Sequence, residues 1–83
     1  MKKVAVISAI LEEPDKSQHE FNEIISNFKG IIKGRMGIPC DEESVSIICI
    51  VVVAQMNIIN SLTGKLGNID NVLVKTSISK KEL

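Results

Sequence analysis

Few side chains in this sequence of 83 residues are of the types that carry catalytic or metal-binding chemistry. It contains one histidine, His19, and two cysteines, Cys40 and Cys49. A structural site for a soft metal is normally built from about four His and Cys ligands. Three separated residues do not supply such a set, and a metal role for His19 would need ligands from another subunit. We therefore predict no catalytic group, no resident metal and no cofactor, and we expect His19 to be a solvated surface residue.

The two cysteines are predicted to be free thiols without a catalytic role. Cys49 lies inside a long apolar stretch, where an unpaired cysteine behaves as a small hydrophobic residue. Cys40 is followed by the acidic run 41–43, and negative neighbours disfavour a reactive thiolate. The segment Met1–Leu11 lacks the small-residue cleavage site of a signal peptide, so we expect a cytoplasmic protein in which thiols stay reduced.

Two groups of residues are candidates for holding a small ligand, because in them polar groups or glycine meet apolar segments. Glu12 and Asp15 precede the first predicted helix, where acidic residues can equally serve to offset the helix dipole. Arg35 and Gly37 lie on the second predicted strand, where Arg35 can equally protect a sheet edge from aggregation. The pattern around Lys65 lacks the spacing of a phosphate-binding loop.

Two strands must form the centre of the domain. The stretch Val45–Ala54 is rich in Val and Ile, which suits a strand, and alternate residues are apolar on both of its faces. Lys2–Leu11 has the same property, with Val4, Val6 and Ile10 on one side. Strands that are apolar on both faces belong in the middle of a sheet whose two sides are both covered.

Two amphipathic helices and two further strands complete the prediction. The first helix is expected from about Lys16 to Lys29, with Asp15 as its cap in a capping box and Gly30 as its stop. Ile31–Ile38 reads as an edge strand with Lys33 and Arg35 on one face, and residues 39–43 as a hairpin loop. The second helix is expected to follow Asn57 and to stop at a left-handed Gly67. Val72–Ile78 is the last predicted strand, and residues 79–83 are expected to fray.

The order β-α-β-β-α-β is that of the ferredoxin-like α+β sandwich, a four-stranded antiparallel sheet with two helices on one face. We predict a single domain over residues 1–83. The sheet face away from the helices would then be a patch of Val, Ile and Ala that is too large to stay in water on a stable monomer. We therefore expect a homo-oligomer, a dimer or a tetramer.

Charge limits the partners that this domain can bind. Ten acidic and ten basic residues give a formal net charge of zero. Nucleic acids and anionic membranes attract proteins mainly through basic surfaces, so neither is an expected partner. The sequence also lacks the aromatic residues that an RNA-binding sheet displays on its central strands. The fold alone does not name a function.

Two stretches resemble a known family. They are Gly34–Pro39, followed by Ser46–Ile48, and Leu62–Gly67, followed by Val72–Thr76. Together they are similar to the small regulators associated with the iron-only hydrogenase system. That resemblance covers nearly the whole chain and implies an ACT-like domain, similar in fold to the ligand-binding domain of the nickel-responsive repressor.

The resemblance implies a stand-alone oligomeric regulatory or sensor domain that is not an enzyme. A ligand, if one is sensed, would bind at a subunit interface. The repressor's metal site does not carry over, because its His and Cys ligands have no counterparts here, and no DNA-binding motif is present. The loop after the first strand also lacks the glycine that helps ACT domains bind amino acids. The alternative is a structural adaptor that docks a partner protein and binds no small ligand.

Overall fold

β1 (Lys2–Leu11) and β3 (Val45–Gln55) are the two central strands of a four-stranded antiparallel sheet in the computed structural model, which describes residues 1–83. β2 (Ile32–Cys40) lies at the edge beside β3, and β4 (Val72–Ile78) lies at the edge beside β1. α1 (Pro14–Ser26) and α2 (Met56–Gly67) complete the order β-α-β-β-α-β. The predicted ferredoxin-like α+β fold is confirmed.

The core lies between the helices and one face of the sheet. Alternate residues of the two central strands point into it, and each is at most 4% exposed. From β1 they are Ala5, Ile7, Ala9 and Leu11, and from β3 they are Ile48, Ile50, Val52 and Ala54. Phe21 of α1 and Leu62 of α2 cover them and are themselves completely buried. The period of two in the strands and the helical stripes therefore meet in one aliphatic core.

The other face of the sheet carries the remaining apolar residues, and we call it the open face. Six large hydrophobic side chains on it are between 37% and 58% exposed: Val6, Ile10, Met36, Ile38, Val51 and Leu73. One line of residues, which we call the aliphatic row, crosses all four strands in register and consists of Ile38, Ile47, Ile10 and Leu73. The prediction that both central strands are apolar on both faces is correct.

The ends of the helices differ from those predicted. α1 begins at Pro14, two residues early, because proline is favoured in the first helical turn. Its N-cap is Glu13 and makes no side-chain capping bond, so the predicted capping box of Asp15 is wrong. The helix ends at Ser26, and Lys29 starts a separate 3₁₀ turn that runs to Ile31.

α2 also has different ends. It begins at Met56 after Gln55, so Asn57 lies inside the helix and does not cap it. The predicted left-handed stop at Gly67 is wrong, since no glycine in the chain has a positive φ. The C-cap is Asn68, whose backbone is right-handed; its N–H donates to the Gly64 carbonyl, and the N–H of Ile69 donates to the Leu66 carbonyl.

β2 is longer than predicted and contains a bulge. It extends through Cys40, so the loop to β3 consists of residues 41–44 only. Ile32 lies opposite Val52, but Gly34 lies opposite the adjacent residue Val51, which places the bulge around Lys33. The bulge interrupts the alternation on which a shared face for Lys33 and Arg35 was predicted.

Two turn residues other than glycine have a left-handed backbone. Ser44, at the end of the β2–β3 loop, has φ 59°, and Asn71, just before β4, has φ 65°. After β4, residues 79–83 form neither strand nor helix, and the amides of Ser79 and Leu83 donate to the carbonyls of Val4 and Lys2. Neither helix is long and apolar enough to cross a membrane.

Candidate functional site

The first candidate site is a cleft of about 380 Å³ between the start of α1 and the β2–β3 hairpin. Both acidic residues predicted for ligand binding, Glu12 and Asp15, line it. The hairpin contributes Cys40, Asp41 and Ser44 from the other side. The short loop 41–44 therefore places further polar groups opposite the first turn of α1.

The hydrogen bonds at this helix start are largely made within the helix. The backbone amides of Lys16 and Ser17 donate to the Glu13 carbonyl at 3.0 and 3.1 Å, and the Ser17 hydroxyl donates to the same oxygen at 3.0 Å. Lys16 also pairs with the Glu13 carboxylate at 3.1 Å. The acidic residues here thus have a structural role, since they offset the dipole of α1 and bind a neighbouring lysine. No group of His, Cys, Asp and Glu in the chain is arranged to hold a metal ion.

The second candidate site is a groove of about 260 Å³ between α1 and the strands β2 and β3, which we call the Arg35 groove. Arg35 and Gly37, the other two predicted residues, both line it. Its polar lining is Arg35, Gln18 and Ser46, and its apolar lining includes Ile38, Ile47 and Ile48. Ser46 also lines the first cleft, so the two sites are neighbours at one end of β3.

The side chain of Arg35 is held in place by α1. Its Nη2 donates to Oδ1 of Asn22 at 2.6 Å, and its guanidinium lies 5.9 Å from the centroid of the Phe21 ring. A guanidinium over an aromatic face gains a cation–π attraction without losing its charge. Arg35 is thus a fixed positive group at the wall of the groove and not only an edge-strand charge.

Sequence reasoning missed three residues of this groove. Gln18 and Ser46 line it, and Asn22 orients Arg35. The only available signal was the i, i+4 spacing of Gln18 and Asn22, which places two amides on one side of α1. Their proximity to Arg35 depends on how α1 packs against β2, which the sequence pattern does not specify.

Of the remaining candidate residues, His19 and Cys49 lie away from both sites, whereas Cys40 lines the first cleft. The His19 side chain is 90% exposed and lies 3.4 Å from the Glu23 carboxylate on the surface of α1. Both cysteines are free and half-buried. Cys40 was predicted in a loop but is the last residue of β2, and Cys49 lies between Met36 and Ser8 on the open face.

One family accounts for nearly the whole sequence. The model of the family described as "TM1266-like: Iron-only hydrogenase system regulator, putative" matches residues 3–76. The chain belongs to the TM1266-like family. The resemblance predicted from the two sequence stretches is thereby confirmed. No curated protein sequence matches the chain.

Solved structures agree with this membership. The TM1266-like chain is similar to the uncharacterized protein TM1266 from Thermotoga maritima, with a TM-score of 0.92 and 35% identity over 96% of this chain and 100% of that one. It is also similar to an unknown protein from Galdieria sulphuraria, with a TM-score of 0.65 and 11% identity over 100% of this chain and 48% of that one. The second likeness concerns the fold alone.

Proposed function

We propose that this TM1266-like chain is a stand-alone, ACT-like regulatory domain of the iron-only hydrogenase system that works as a homo-oligomer. The description of its family as a regulator supports the regulatory role. In this proposal the domain is cytoplasmic, is not an enzyme, and has no DNA-binding element of its own. It senses a small ligand in a cleft beside α1, whereas the second subunit packs on the open face.

The main support for the proposed oligomer is the apolar composition of the open face. Its aliphatic row crosses the whole sheet without a polar residue, and three of its four members are at least 41% exposed. The next row along the strands contains Met36, Cys49, Ser8 and Lys75, of which only Lys75 is charged. A surface of this kind is rare on a stable monomer and marks an interaction site.

A second copy of the chain suits this surface well. An apolar row without charges is complementary to itself, which is what a two-fold interface requires. Two twisted sheets pack face to face at about 10 Å when their inner side chains are apolar. The one charge in these two rows, Lys75, lies on the edge strand β4 and can remain at the rim of such an interface.

Multi-angle light scattering at micromolar concentration tests the oligomer directly. We expect a dimer or tetramer, and a monomer would contradict the proposal. Thermal shifts with amino acids, small anions, nucleotides and divalent metals test the sensor role, because a ligand that binds the folded state raises its melting temperature. An oligomer that no ligand stabilises would favour the alternative function, an adaptor that docks a partner protein.

A further inference from the structure

The Arg35 groove contains a positive group that the protein positions but does not neutralise. The guanidinium of Arg35 makes one hydrogen bond, to the neutral amide oxygen of Asn22, and stacks on the buried Phe21 ring. No carboxylate lies within 4.0 Å of it, the distance that would make an ion pair. A guanidinium has five N–H donors, so four remain for another partner.

The distribution of charge on α1 explains why Arg35 has no acidic partner. The helix carries three acidic residues, but the two residues that approach β2 at this point, Gln18 and Asn22, are amides. Glu23 lies beside His19 instead, on the exposed side of the helix. The side of α1 that faces Arg35 therefore supplies hydrogen bonds without compensating charge.

The walls of the groove add polar donors and apolar surface. The side chains of Gln18 and Ser46 line it and make no hydrogen bond to another protein group. Pro39 and Ile48, which lie on the same face of the sheet as Gly37, provide an apolar wall. A guanidinium is suited to bind the two oxygens of a carboxylate or phosphate together, and the apolar wall suits a short hydrocarbon body.

Gly37 keeps this space open. It lies opposite Ile48, on the sheet face that the helices cover, yet no atom lies within 4 Å of the position that a Cβ would occupy. Any side chain at this position would project into the groove. The volume of about 260 Å³ is below the usual range of about 300–1,000 Å³ for ligand pockets, so the occupant must be small.

We propose that the Arg35 groove binds a small organic oxyanion, with the carboxylate or phosphate headgroup on Arg35, Gln18 and Ser46 and a short apolar body against Pro39 and Ile48. This inference rests on the proposed sensor function and identifies the class of ligand. It also places the ligand in the groove and not in the more acidic first cleft, where four carboxylates (Glu12, Glu13, Asp15 and Asp41) would repel an anion.

Titration followed by amide and arginine side-chain NMR resonances tests the proposal in buffer free of carboxylate and phosphate. The probes are butyrate, butyl phosphate and butylamine, which share one hydrocarbon body and differ in headgroup. We expect saturable shifts at Arg35 and Gln18 with at least one anion, with a dissociation constant near 1 mM, and no saturation with butylamine. The anion that binds more tightly identifies the headgroup class, and saturation with neither anion would overturn the proposal.

Two variants with matched controls locate the site. Arg35→Gln should weaken anion binding at least about tenfold, because it removes a charged hydrogen-bond donor, whereas Lys33→Gln removes an equal charge from the same strand and should change it less than about twofold. Gly37→Val should abolish binding by filling the groove, whereas Gly34→Val adds the same side chain on the open face and should not. Unchanged binding in Arg35→Gln or in Gly37→Val would refute the assignment.

Light scattering on the same samples separates this inference from the proposed function. An oligomer that binds neither anion would refute the groove as an anion site and leave the oligomeric regulator standing. A monomer in which Arg35 and Gln18 shift with an anion would support the groove and contradict the oligomer. Chemical shifts across the core of each variant show whether the fold is retained, since both substitutions lie on the exposed strand β2.

Discussion

Replacing Ile10 with lysine gives the sharpest test of the open face as a subunit interface. Ile10 lies within the aliphatic row, between Ile47 and Leu73, and is 41% exposed in the monomer. Full burial of an isoleucine contributes about 1.5–3 kcal/mol. The exposed 41% is therefore worth about 0.6–1.2 kcal/mol for each Ile10, and about 1.2–2.5 kcal/mol for the two copies in a symmetric dimer.

This loss corresponds to a dimer dissociation constant that rises roughly 8- to 60-fold. The two introduced charges would face an apolar surface without partners, which adds to the loss. The monomer itself should keep its stability to within about 0.5 kcal/mol, because the substitution is on its surface. Sedimentation equilibrium over a range of concentrations measures the dissociation constant, and circular dichroism in urea measures the stability.

Ile78 provides a matched control. It is the same residue type on an edge strand, is 37% exposed, and lies opposite Ala5 on the sheet face that the helices cover. Ile78→Lys should leave the dissociation constant unchanged. If Ile10→Lys associates as tightly as the unaltered chain, or if Ile78→Lys weakens association equally, the open face is not the interface.

Three further predictions concern the folded subunit. Phe21→Ala should lower the free energy of unfolding by about 3–5 kcal/mol, since Phe21 is 0% exposed. Urea titration followed by circular dichroism measures this change, because the chain has no Trp or Tyr for fluorescence. Ser44→Gly should raise the free energy of unfolding by up to about 1 kcal/mol by relieving its φ of 59°, and Asn71→Gly should raise it less, because asparagine tolerates this conformation. A larger gain in Asn71→Gly would contradict this reasoning. His19→Ala should change stability by less than about 0.5 kcal/mol in thermal melts, because its pair with Glu23 is exposed.

The sheet could be predicted from the sequence because its physical signal is redundant. Val45–Ala54 and Lys2–Leu11 are apolar at both even and odd positions, which only central strands tolerate, and the predicted element order then fixes their places in the sheet. Shifts of one or two residues at the ends leave this conclusion intact. The open face followed from the same reasoning, because two helices cover only one side.

Local choices at element ends were harder to predict. Asp15 is a better capping residue than Glu13. The helix nevertheless begins at Pro14, because proline is favoured in the first helical turn. Gly67 has the composition of a left-handed stop, yet the backbone there stays right-handed. In both places neighbouring candidates differ by a few tenths to one kcal/mol, and tertiary packing decides between them.

The two clefts likewise combine candidate residues that were named from the sequence with residues that were not. Glu12 and Asp15 line the first cleft and Arg35 and Gly37 line the second, since each pair is close in the chain. Ser46, which borders both clefts, was not predicted as a site residue. Its contribution depends on the register between β2 and β3, and that register shifts by one residue at the bulge.

The extra residue at the bulge, Lys33, determines which face of the sheet each later residue of β2 occupies. Were the bulge lost, with Lys33 opposite Val51 and the pairing of Ile32 with Val52 kept, strict alternation would turn Arg35 and Gly37 outward and Met36 and Ile38 toward the helices. Deletion of Lys33 would instead remove the bulge and leave Gly34 opposite Val51, so every later residue of β2 would keep its face. One backbone irregularity therefore determines which β2 residues contribute to the groove and which contribute to the aliphatic row.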